Sequence, residues 1–284
     1  MITLEQRNQD CLIHGIDRCD LGQIFDCGQA FRFTAEEDGY TGVALGRVLH
    51  VAMEGSDLVL ADTTCEEAQR LWLPYFDLER DYAAIQTHFA QDPVMERAIS
   101  DGQGIRVLRQ PAWEMVVTFL FSQRNNIPRI RSLVEGLCSV CGNKLTYRGR
   151  EYFDFPTPQQ VAQAGLEGLA PVRAGYRAPY VYDAACRVAS GDFSLEEVEG
   201  LPTEEARKKL MELKGVGVKV ADCILLFGYG RLDAFPVDVW MERAIRLLYQ
   251  QQDFCPEQFG PYPGIAQQYL FYHARCRGLG KGKR

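Results

Sequence analysis

The stretch Leu213-Lys-Gly-Val-Gly-Val-Lys-Val-Ala-Asp-Cys-Ile-Leu-Leu-Phe227 decides how this chain of 284 residues folds. Residues 204–213 have apolar positions at helical spacing, the two glycines interrupt that pattern, and a second helical pattern follows. Two glycines in one turn let the backbone approach a partner closely, and the free amide groups of a restarted helix suit a phosphate. The pattern predicts a helix-hairpin-helix over residues 204–227 that contacts a nucleic-acid backbone through Gly215, Gly217 and Val218.

Three reactive side chains follow the two glycines. Lys219 lies in the first turn of the second predicted helix, where the partial positive charge of the helix end disfavours another positive charge. A lysine that loses its proton readily is an amine nucleophile. Cys223 lies one turn later on the same face, and Asp238 precedes another predicted helix that its side chain can cap. Taken singly, such a lysine or aspartate is more often structural than catalytic.

In combination, these residues resemble the helix-hairpin-helix plus Gly/Pro-Asp motif of base-excision DNA glycosylases. The string Gly215-Val-Gly-Val-Lys-Val-Ala-Asp-Cys223, followed by Phe235-Pro-Val-Asp-Val239, is most similar to the 8-oxoguanine DNA glycosylase/lyase family. The resemblance implies that Lys219 is the nucleophile and that Asp238 stabilises the positive charge that builds on the sugar. It also implies that Cys223 forms one wall of the pocket for the damaged base.

The composition is that of an ordinary globular protein, with 46% hydrophobic and 24% charged residues. A chain of this length has room for two compact domains. No apolar run approaches the roughly 18 residues of a membrane span, and the first ten residues lack the apolar core of a secretory signal. We therefore expect a cytoplasmic protein, nucleoid-associated if bacterial, that is not secreted and has no membrane partner.

The ten cysteines are scattered, and the only close pair is Cys138 and Cys141. Glycosylases of the endonuclease III type carry four closely spaced C-terminal cysteines for an iron–sulfur cluster, whereas this chain has only Cys255 and Cys276 in that region. We expect reduced thiols, no cluster and no metal site. The resemblance implies that no cofactor is required, although the family's hairpin can hold a monovalent cation on its carbonyl groups.

The formal net charge of −7 argues mildly against a nucleic-acid partner, for which a basic surface is the usual sign. Charge distribution matters more than the sum, and basic residues are concentrated in two places. A small basic area on an acidic protein remains compatible with DNA and predicts weak non-specific binding. The two groups are Arg106, Arg109, Arg124, Arg129 and Arg131, and the tail residues Arg275, Arg277, Lys281, Lys283 and Arg284.

A polar segment, Ser122-Gln-Arg-Asn-Asn-Ile-Pro-Arg129, follows an apolar helix predicted over residues 111–121. From the residues alone, a solvated loop between helices is about as good an interpretation as a binding loop. The segment resembles the family's Ser-x-Asn-Asn-Asn-Ile-x-Arg loop, which enters the duplex and contacts the orphaned cytosine. The resemblance assigns these roles to Asn125, Asn126 and Arg129. Arg124 stands where many members have the first asparagine, which bears on the stringency for the opposite base.

A second segment, Gly175-Tyr-Arg177, is weak evidence alone because exposed tyrosines and arginines are common. It matches the family's wedge tyrosine and second cytosine-contacting arginine. The resemblance therefore assigns Tyr176 to the space that the extruded base leaves in the stack, and Arg177 to the opposite cytosine. An aromatic wedge suits this task because a ring can replace a base in the stack.

The remaining predicted pocket residues come from both ends of the chain. Gly28 interrupts alternating apolar residues, which indicates a β-bulge or a close backbone approach. Gly28-Gln-Ala-Phe-Arg32 resembles a family motif whose glycine carbonyl accepts the N7 hydrogen of 8-oxoguanine, a donor that guanine lacks. Gln267 and Phe271 lie one turn apart on a predicted helix and by themselves suggest packing. The resemblance implies that Gln267 contacts the Watson–Crick edge of the flipped base and that Phe271 stacks on its face. Trp240 stands at a position where eukaryotic members often have a histidine near the DNA phosphate.

We predict an α+β fold. Strands over residues 40–62 and helices after residue 65 indicate an N-terminal antiparallel β-sheet domain with flanking helices, residues 1–100. It is packed on a predominantly α-helical helix-hairpin-helix glycosylase domain, residues 101–284, which contains the hairpin 204–227 and the aspartate loop 235–240.

The expected function is that of a bifunctional DNA glycosylase/AP lyase. It excises 8-oxoguanine paired with cytosine through a lysine Schiff base and nicks the strand by β-elimination. The expected partner is double-stranded DNA containing an oxidised guanine, and we expect a monomer. Two alternatives remain: a glycosylase for alkylated bases, which uses no lysine nucleophile, and a non-catalytic helix-hairpin-helix DNA-binding protein.

Overall fold

The computed structural model describes residues 2–250 and 254–279, so the predicted basic tail residues Lys281, Lys283 and Arg284 lie outside the described residues. The strands are β1 (Thr3–Arg7), β2 (Asp10–His14), β3 (Phe33–Glu36), β4 (Gly39–Ala44), β5 (Arg47–Glu54), β6 (Asp57–Leu60), β7 (Lys144–Tyr147) and β8 (Arg150–Phe153). The first helices are α1 (Leu21–Asp26), α2 (Cys65–Glu67), α3 (Leu73–Tyr75), α4 (Tyr82–Phe89), α5 (Pro93–Gly102), α6 (Ala112–Ser122) and α7 (Ile127–Cys141). The later ones are α8 (Pro158–Leu169), α9 (Ala178–Ser190), α10 (Leu195–Gly200), α11 (Thr203–Leu210), α12 (Val218–Tyr229), α13 (Val239–Tyr249) and α14 (Pro263–Cys276).

The first six strands form one sheet in the order β1-β2-β6-β5-β4-β3. The pairs β1–β2, β2–β6, β3–β4 and β4–β5 are antiparallel, with Cys11 opposite Leu60 and Tyr40 opposite Val51. The predicted α+β fold, an N-terminal antiparallel sheet followed by a helical region, is confirmed. The helices of the described residues are too short or too polar to cross a membrane.

Two hairpins lie where the sequence analysis placed none. β1 and β2 turn at Asn8 (φ 58°), and β7 and β8 turn at Arg148 and Gly149 (φ 47° and 74°). Short exposed strands carry little alternation of apolar and polar residues, so their periodicity is weak. Asparagine and glycine in left-handed backbone conformations are the local signal that such turns offer.

Contacts divide the chain into two compact units, each assembled from separated segments. The first unit comprises Met1–Ala30, Ala52–Arg109 and Gly230–Arg284, and the second comprises Phe31–Val51 and Gln110–Tyr229. This division follows contacts in space, whereas the boundary predicted near residue 100 is a division along the sequence. That boundary stays a prediction.

The core of the first unit contains an unexpected charged side chain, Arg106, which is only 2% exposed. Its guanidinium donates to the carbonyl groups of Arg18 (3.1 Å) and Asp77 (2.7 Å), and it lies over the ring of Tyr82 at 4.5 Å. Buried charge is tolerated when hydrogen bonds satisfy it, and carbonyl oxygens do so here. The assignment of Arg106 to a basic DNA-contacting area is therefore wrong, because its charge is enclosed in the core.

In the second unit, α6 is the central apolar helix, with Trp113, Val116 and Leu120 among its buried residues. It packs against α12, and the rings of Phe119 and Phe227 stack with centroids 5.5 Å apart. This burial fixes α12, the helix that follows the two hairpin glycines, against the core of the second unit. The predicted second helix of the hairpin is thus held by α6 rather than by its own propensity.

A carboxyl group is buried in the same helix. Glu114 is 7% exposed, and its burial raises its pKa to about 7, an effect that the nearby positive charge of Arg32 only partly opposes. Arg32 itself lies 3.3 Å from a carboxylate oxygen of Glu135 and donates to the carbonyl of Phe153. Glu114 is therefore a group whose protonation changes near neutral pH.

We expect this group to make the protein less stable as pH rises. A carboxyl group that binds its proton more tightly in the folded state stabilises that state below the unfolded pKa, and this contribution disappears as pH rises through about 7. The loss amounts to about 3 kcal/mol at most. Urea unfolding measures the free energy of unfolding near pH 5 and near pH 8. Between these two pH values, this free energy should fall less for Glu114→Gln than for the native protein.

The matched control for this measurement is Glu167→Gln, because Glu167 is an exposed glutamate of the same unit. It should leave the pH dependence close to that of the native protein. An equal fall in the free energy of unfolding for the native and Glu114→Gln proteins would show that Glu114 does not cause the pH dependence.

Candidate functional site

The predicted helix-hairpin-helix is present as α11, a turn, and α12. The first helical hydrogen bond of α12 runs from the amide of Ala221 to the carbonyl of Gly217, at 2.9 Å. The amides of Val218, Lys219 and Val220 therefore precede the first helical hydrogen bond, as at any helix N-terminus. Val218 is 54% exposed, so this end of the helix faces solvent. The geometry suits an anion such as a backbone phosphate.

The two hairpin glycines have different surroundings. Gly215 has a φ of 84°, and a Cβ there would lie 2.6 Å from the ring of Tyr180. A larger residue would clash inside the second unit. A Cβ at Gly217 would meet no atom within 4 Å. Gly217 therefore leaves open space in front of the helix end, which is what close approach of an external backbone needs.

Lys219 and Cys223 lie one turn apart near the start of α12. Lys219 is half-buried, with its Nζ 5.3 Å from the centroid of the buried Phe119 ring, while Cys223 is 4% exposed. A cation over an aromatic face is held by the ring quadrupole and by contact with the apolar stem. The lysine is thus supported on the aromatic side chain of α6. The predicted catalytic role of Lys219 and pocket role of Cys223 stay predictions.

The carbonyl of Gln123 joins two segments that the sequence analysis treated separately. It accepts hydrogen bonds from the hydroxyl of Tyr176 (3.1 Å) and from Nε and Nη2 of Arg177 (2.9 Å for Nε). Arg177 also donates to the carbonyl of Arg124 at 3.2 Å, and its guanidinium lies 4.4 Å from the ring centroid of Tyr176. The predicted wedge turn and the predicted cytosine-reading loop therefore form one surface, and Tyr176 is 49% exposed on it.

The polar residues of this loop have structural partners of their own. Asn126 caps α7 by accepting from the amide of Arg129 at 2.9 Å, and Asn125 donates to the carbonyl of Phe121 at 3.0 Å. Arg129 donates to the carbonyl of Arg173 at 2.8 Å. Contacts of these side chains with DNA stay predictions, and such contacts would replace or extend the bonds present here.

In the first unit, Asp238 is the N-cap of α13, as predicted. Its Oδ1 accepts from the amide of Met241 at 2.7 Å, which leaves the second carboxylate oxygen outside this cap. The residue is exposed, and it lies between Val237 and Val239, which are 37% and 64% exposed. Exposed valines on both sides of a carboxylate form an apolar surface that a ligand can cover.

Two aromatic rings lie together in the first unit. Trp240 and Phe271 meet edge to face with centroids 5.1 Å apart. Gln267, one turn before Phe271 on α14, is 5% exposed, and its Oε1 accepts from Nε2 of Gln268 at 2.6 Å. Gln267 and Phe271 lie on the same face of α14 because they are four residues apart in one helix. Trp240 therefore supports the ring that the resemblance assigns to base stacking.

The structural interpretation of Gly28 was wrong in one respect. Gly28 is not a bulge in a strand; it follows helix α1, whose N-cap is Asp20, and has a φ of 81°. The alternating apolar residues before it are the buried side of a short helix. Its role in the base pocket stays a prediction.

Sequence reasoning gave Gln29 no role of its own, yet its side chain fixes the segment next to Gly28. Gln29 is fully buried and donates to the carbonyls of Ile24 (3.1 Å) and Arg106 (2.8 Å), while its oxygen accepts from the amide of Leu108 (2.8 Å). The signal for this role in the sequence was a glutamine directly after the glycine of the predicted pocket. The positioning of Gly28 depends on this side chain.

One group of potential metal ligands occurs in the described part of the chain: Glu36, Asp38 and His50, whose ligand atoms lie within 4.8 Å of one another. Thr41 donates to Glu36 and contacts the ring of His50, both at 2.8 Å, and Arg150 pairs with Glu36. Glu36 is already engaged by Thr41 and Arg150, so this cluster gives no reason for a resident ion. The expectation of no metal stays a prediction.

Comparison with known proteins matches both parts of the chain. Residues 12–116 match the family described as the N-terminal domain of 8-oxoguanine DNA glycosylase, and residues 117–258 match the HhH-GPD superfamily of base-excision DNA repair proteins. A probable N-glycosylase/DNA lyase of Methanothermobacter thermautotrophicus is 30% identical over 72% of this chain and 74% of its own length. The chain belongs to the 8-oxoguanine DNA glycosylase family.

Solved structures of glycosylases in this family have the same fold. MBOgg1 in complex with a low-affinity DNA ligand superposes with a TM-score of 0.94 at 41% identity, covering 98% of this chain and 99% of that chain. The Clostridium acetobutylicum 8-oxoguanine glycosylase/lyase, in complex with double-stranded DNA containing cytosine opposite 8-oxoG, gives 0.92 at 35% identity, covering 97% and 98%. The 8-oxoguanine glycosylase resemblance is confirmed.

We expect Arg177→Ala to loosen the loop of residues 122–126 in the free glycosylase. The substitution removes the charged donor from the Gln123 and Arg124 carbonyls, and a charge-assisted bond contributes about 1.5–3 kcal/mol. Amide hydrogen exchange of a peptide covering the loop should therefore quicken roughly tenfold or more.

The matched control is Tyr176→Phe, which removes one neutral hydroxyl donor and keeps the ring. Its effect on exchange should be clearly smaller. Unchanged exchange in Arg177→Ala would show that the loop is held by other contacts.

Proposed function

We propose that this protein excises 8-oxoguanine paired with cytosine from duplex DNA, using Lys219 as the nucleophile, and then nicks the strand by β-elimination. As a member of its family, it is an N-glycosylase/DNA lyase. The observation that carries the proposal is the position of Lys219, directly behind the hairpin glycines and one turn before the buried Cys223. A helix end that suits a phosphate and an adjacent amine together support attack on a nucleotide of the bound strand.

The reaction follows from the chemistry of these groups. The neutral amine of Lys219 attacks C1′ of the nucleotide, the glycosidic bond breaks, and the base leaves with its electron pair. Asp238 stabilises the positive charge that builds on the sugar. Ring opening gives a Schiff base, which acidifies the C2′ hydrogen, and loss of that proton expels the 3′ phosphate. Each step uses groups of the protein and the DNA, so we propose that no cofactor is required.

Recognition of the lesion is assigned to side chains of the base pocket. The Gly28 carbonyl would accept the N7 hydrogen that 8-oxoguanine has and guanine lacks. A site built on one hydrogen bond discriminates strongly, because guanine would leave a buried acceptor facing a lone pair. Gln267 and Phe271 would contact the edge and the face of the base, and the contact between Trp240 and Phe271 supports the stacking position.

Opposite-base reading is assigned to Arg129 and Arg177, and the wedge to Tyr176. The contacts of these side chains support this assignment, because Tyr176 and Arg177 share the Gln123 carbonyl. Arg129, in the first turn of α7, donates to the carbonyl of Arg173, two residues before the turn of residues 175–177. The Clostridium acetobutylicum glycosylase/lyase was solved with cytosine opposite 8-oxoG. We propose the same pairing for this protein.

Two other functions fit the sequence less well. A glycosylase for alkylated bases needs the aspartate and no lysine nucleophile, which leaves Lys219 without a role. A silent DNA-binding protein leaves the combination of Lys219, Cys223 and Asp238 without a role. Both alternatives predict no covalent intermediate with the lesion strand.

We expect borohydride to trap the protein on a duplex that carries one 8-oxoguanine opposite cytosine. Reduction of the Schiff base gives a stable amine that links Lys219 to the sugar, and the band is seen on a denaturing gel. Lys219→Gln should lose the band entirely while still binding the duplex. Trapping by Lys219→Gln at the native level would contradict the mechanism.

Two variants serve as controls. Lys214→Gln removes an exposed lysine of the same turn, which pairs with Asp183 at 2.5 Å, and should trap normally. Asp238→Asn keeps a side chain that caps helices as well as aspartate does, so it separates the cap from the charge. It should fold normally and trap far more slowly. Normal trapping by Asp238→Asn would show that Asp238 is only a cap.

We expect Arg129→Ala to weaken the preference for cytosine. A good polar contact to a base edge contributes about 1–3 kcal/mol of discrimination, so the ratio of single-turnover rates for cytosine over the other three opposite bases should fall roughly 5- to 150-fold. Most of this fall in the ratio should come from a lower single-turnover rate opposite cytosine.

Arg131→Ala is the matched control, because Arg131 lies on the same helix and donates to the carbonyl of Phe33 at 2.9 Å. It should keep the native preference. Equal loss of preference in both variants would show an effect on α7 in general and would contradict direct reading by Arg129.

A further inference from the structure

Two thiols that play no part in the proposed reaction lie against each other in the first unit. Sγ of Cys11, on strand β2, is 3.4 Å from Sγ of Cys65, the first residue of α2. They are 54 positions apart in the sequence. The fold, and not their spacing in the sequence, brings the two thiols together.

The backbone segments that carry these thiols are held together by one glutamine. Gln6 accepts from the amide of Cys65 at 2.9 Å, and it donates to the carbonyls of Asp10 (2.9 Å) and Thr63 (3.3 Å). Cys11 is held in the sheet, opposite Gln6 on β1 and Leu60 on β6. The two sulfurs therefore stay close without a covalent bond between them.

The thiols differ in their access to solvent. Cys11 is fully buried, whereas Cys65 is partly exposed. Burial raises the pKa of Cys11 to about 12, and its hydrogen bond to Cys65 acts in the same direction. A reagent in solution therefore meets Cys65 first, and Cys11 waits behind it as a protonated thiol.

We propose that Cys11 and Cys65 form a redox pair that closes to a disulfide when the protein meets a small-molecule disulfide. Cys65, as the thiolate, attacks one sulfur of the small disulfide; a mixed disulfide forms and one thiolate leaves. Cys11 then attacks the Cys65 sulfur and passes its proton to the departing second thiolate. Two electrons move from the protein to the reagent, which becomes two small thiols.

Closure requires a modest movement. The sulfurs would approach from 3.4 Å to the roughly 2.05 Å of a disulfide. The bond would link the N-terminal hairpin to the start of α2 and cross-link the unfolded chain, which raises the thermal midpoint of the oxidised protein. Thiol reductants would reverse it.

The first test uses the full chain and oxidised glutathione under native conditions, followed by alkylation and peptide mapping. We expect a peptide containing Cys11 linked to one containing Cys65, loss of that link with dithiothreitol, and a higher thermal midpoint for the oxidised form. Glutathione on Cys65 with no link to Cys11, or no reaction at Cys65, would overturn the proposal.

Variants test the order of the two steps. Cys11→Ala should accumulate the mixed disulfide at Cys65, and Cys65→Ala should leave Cys11 unmodified. Cys138→Ala, which removes another buried thiol, should form the link as the native protein does. Because Cys11→Ala alters the core, Cys11→Ser provides a second variant with the same expectation. Modification of Cys11 in Cys65→Ala would overturn the proposed order.

Discussion

The close packing of Gly215 against Tyr180 is the contact on which the helix-hairpin-helix surface of the second unit depends. Only a glycine with φ near 84° lets the hairpin backbone lie on that ring. Tyr180 in turn meets Tyr176 edge to face with centroids 6.2 Å apart, and Tyr176 donates to the Gln123 carbonyl. The hairpin, the turn of residues 175–177 and the loop after α6 are thus connected by one ring contact and one hydrogen bond, although they are far apart in sequence.

This connection explains how irregular segments can present defined side chains. A loop that must order itself on binding loses affinity to conformational entropy, and a loop already bonded to its neighbours does not. The Gln123 carbonyl takes three donors from Tyr176 and Arg177, and Asn126 closes the start of α7. The side chains that the family resemblance assigns to DNA therefore also organise the free protein, so substitutions there change both order and contact.

Local features were predictable from the sequence, and features that depend on distant contacts were not. The cap at Asp238 and the start of α12 follow from a few neighbouring residues. The burial of Arg106 depends on carbonyls of Arg18 and Asp77, far away along the chain, so nothing local distinguishes it from a surface arginine. The β7–β8 hairpin and the helix before Gly28 were not predicted for a different reason, because their apolar patterns are too short to show a clear periodicity.

The candidate site shows the same limit in its chemistry. Motif residues such as Lys219 and Gln267 carry recognisable functional groups, so a sequence can nominate them. Arg177 is held by the backbone carbonyl of Gln123, Lys219 by the aromatic face of Phe119, and the segment at Gly28 by the amide side chain of Gln29. A carbonyl is present in every residue and has no signature in the sequence. The positioning of reactive groups therefore has to be read from contacts, and it is there that family members with the same motif can differ in selectivity.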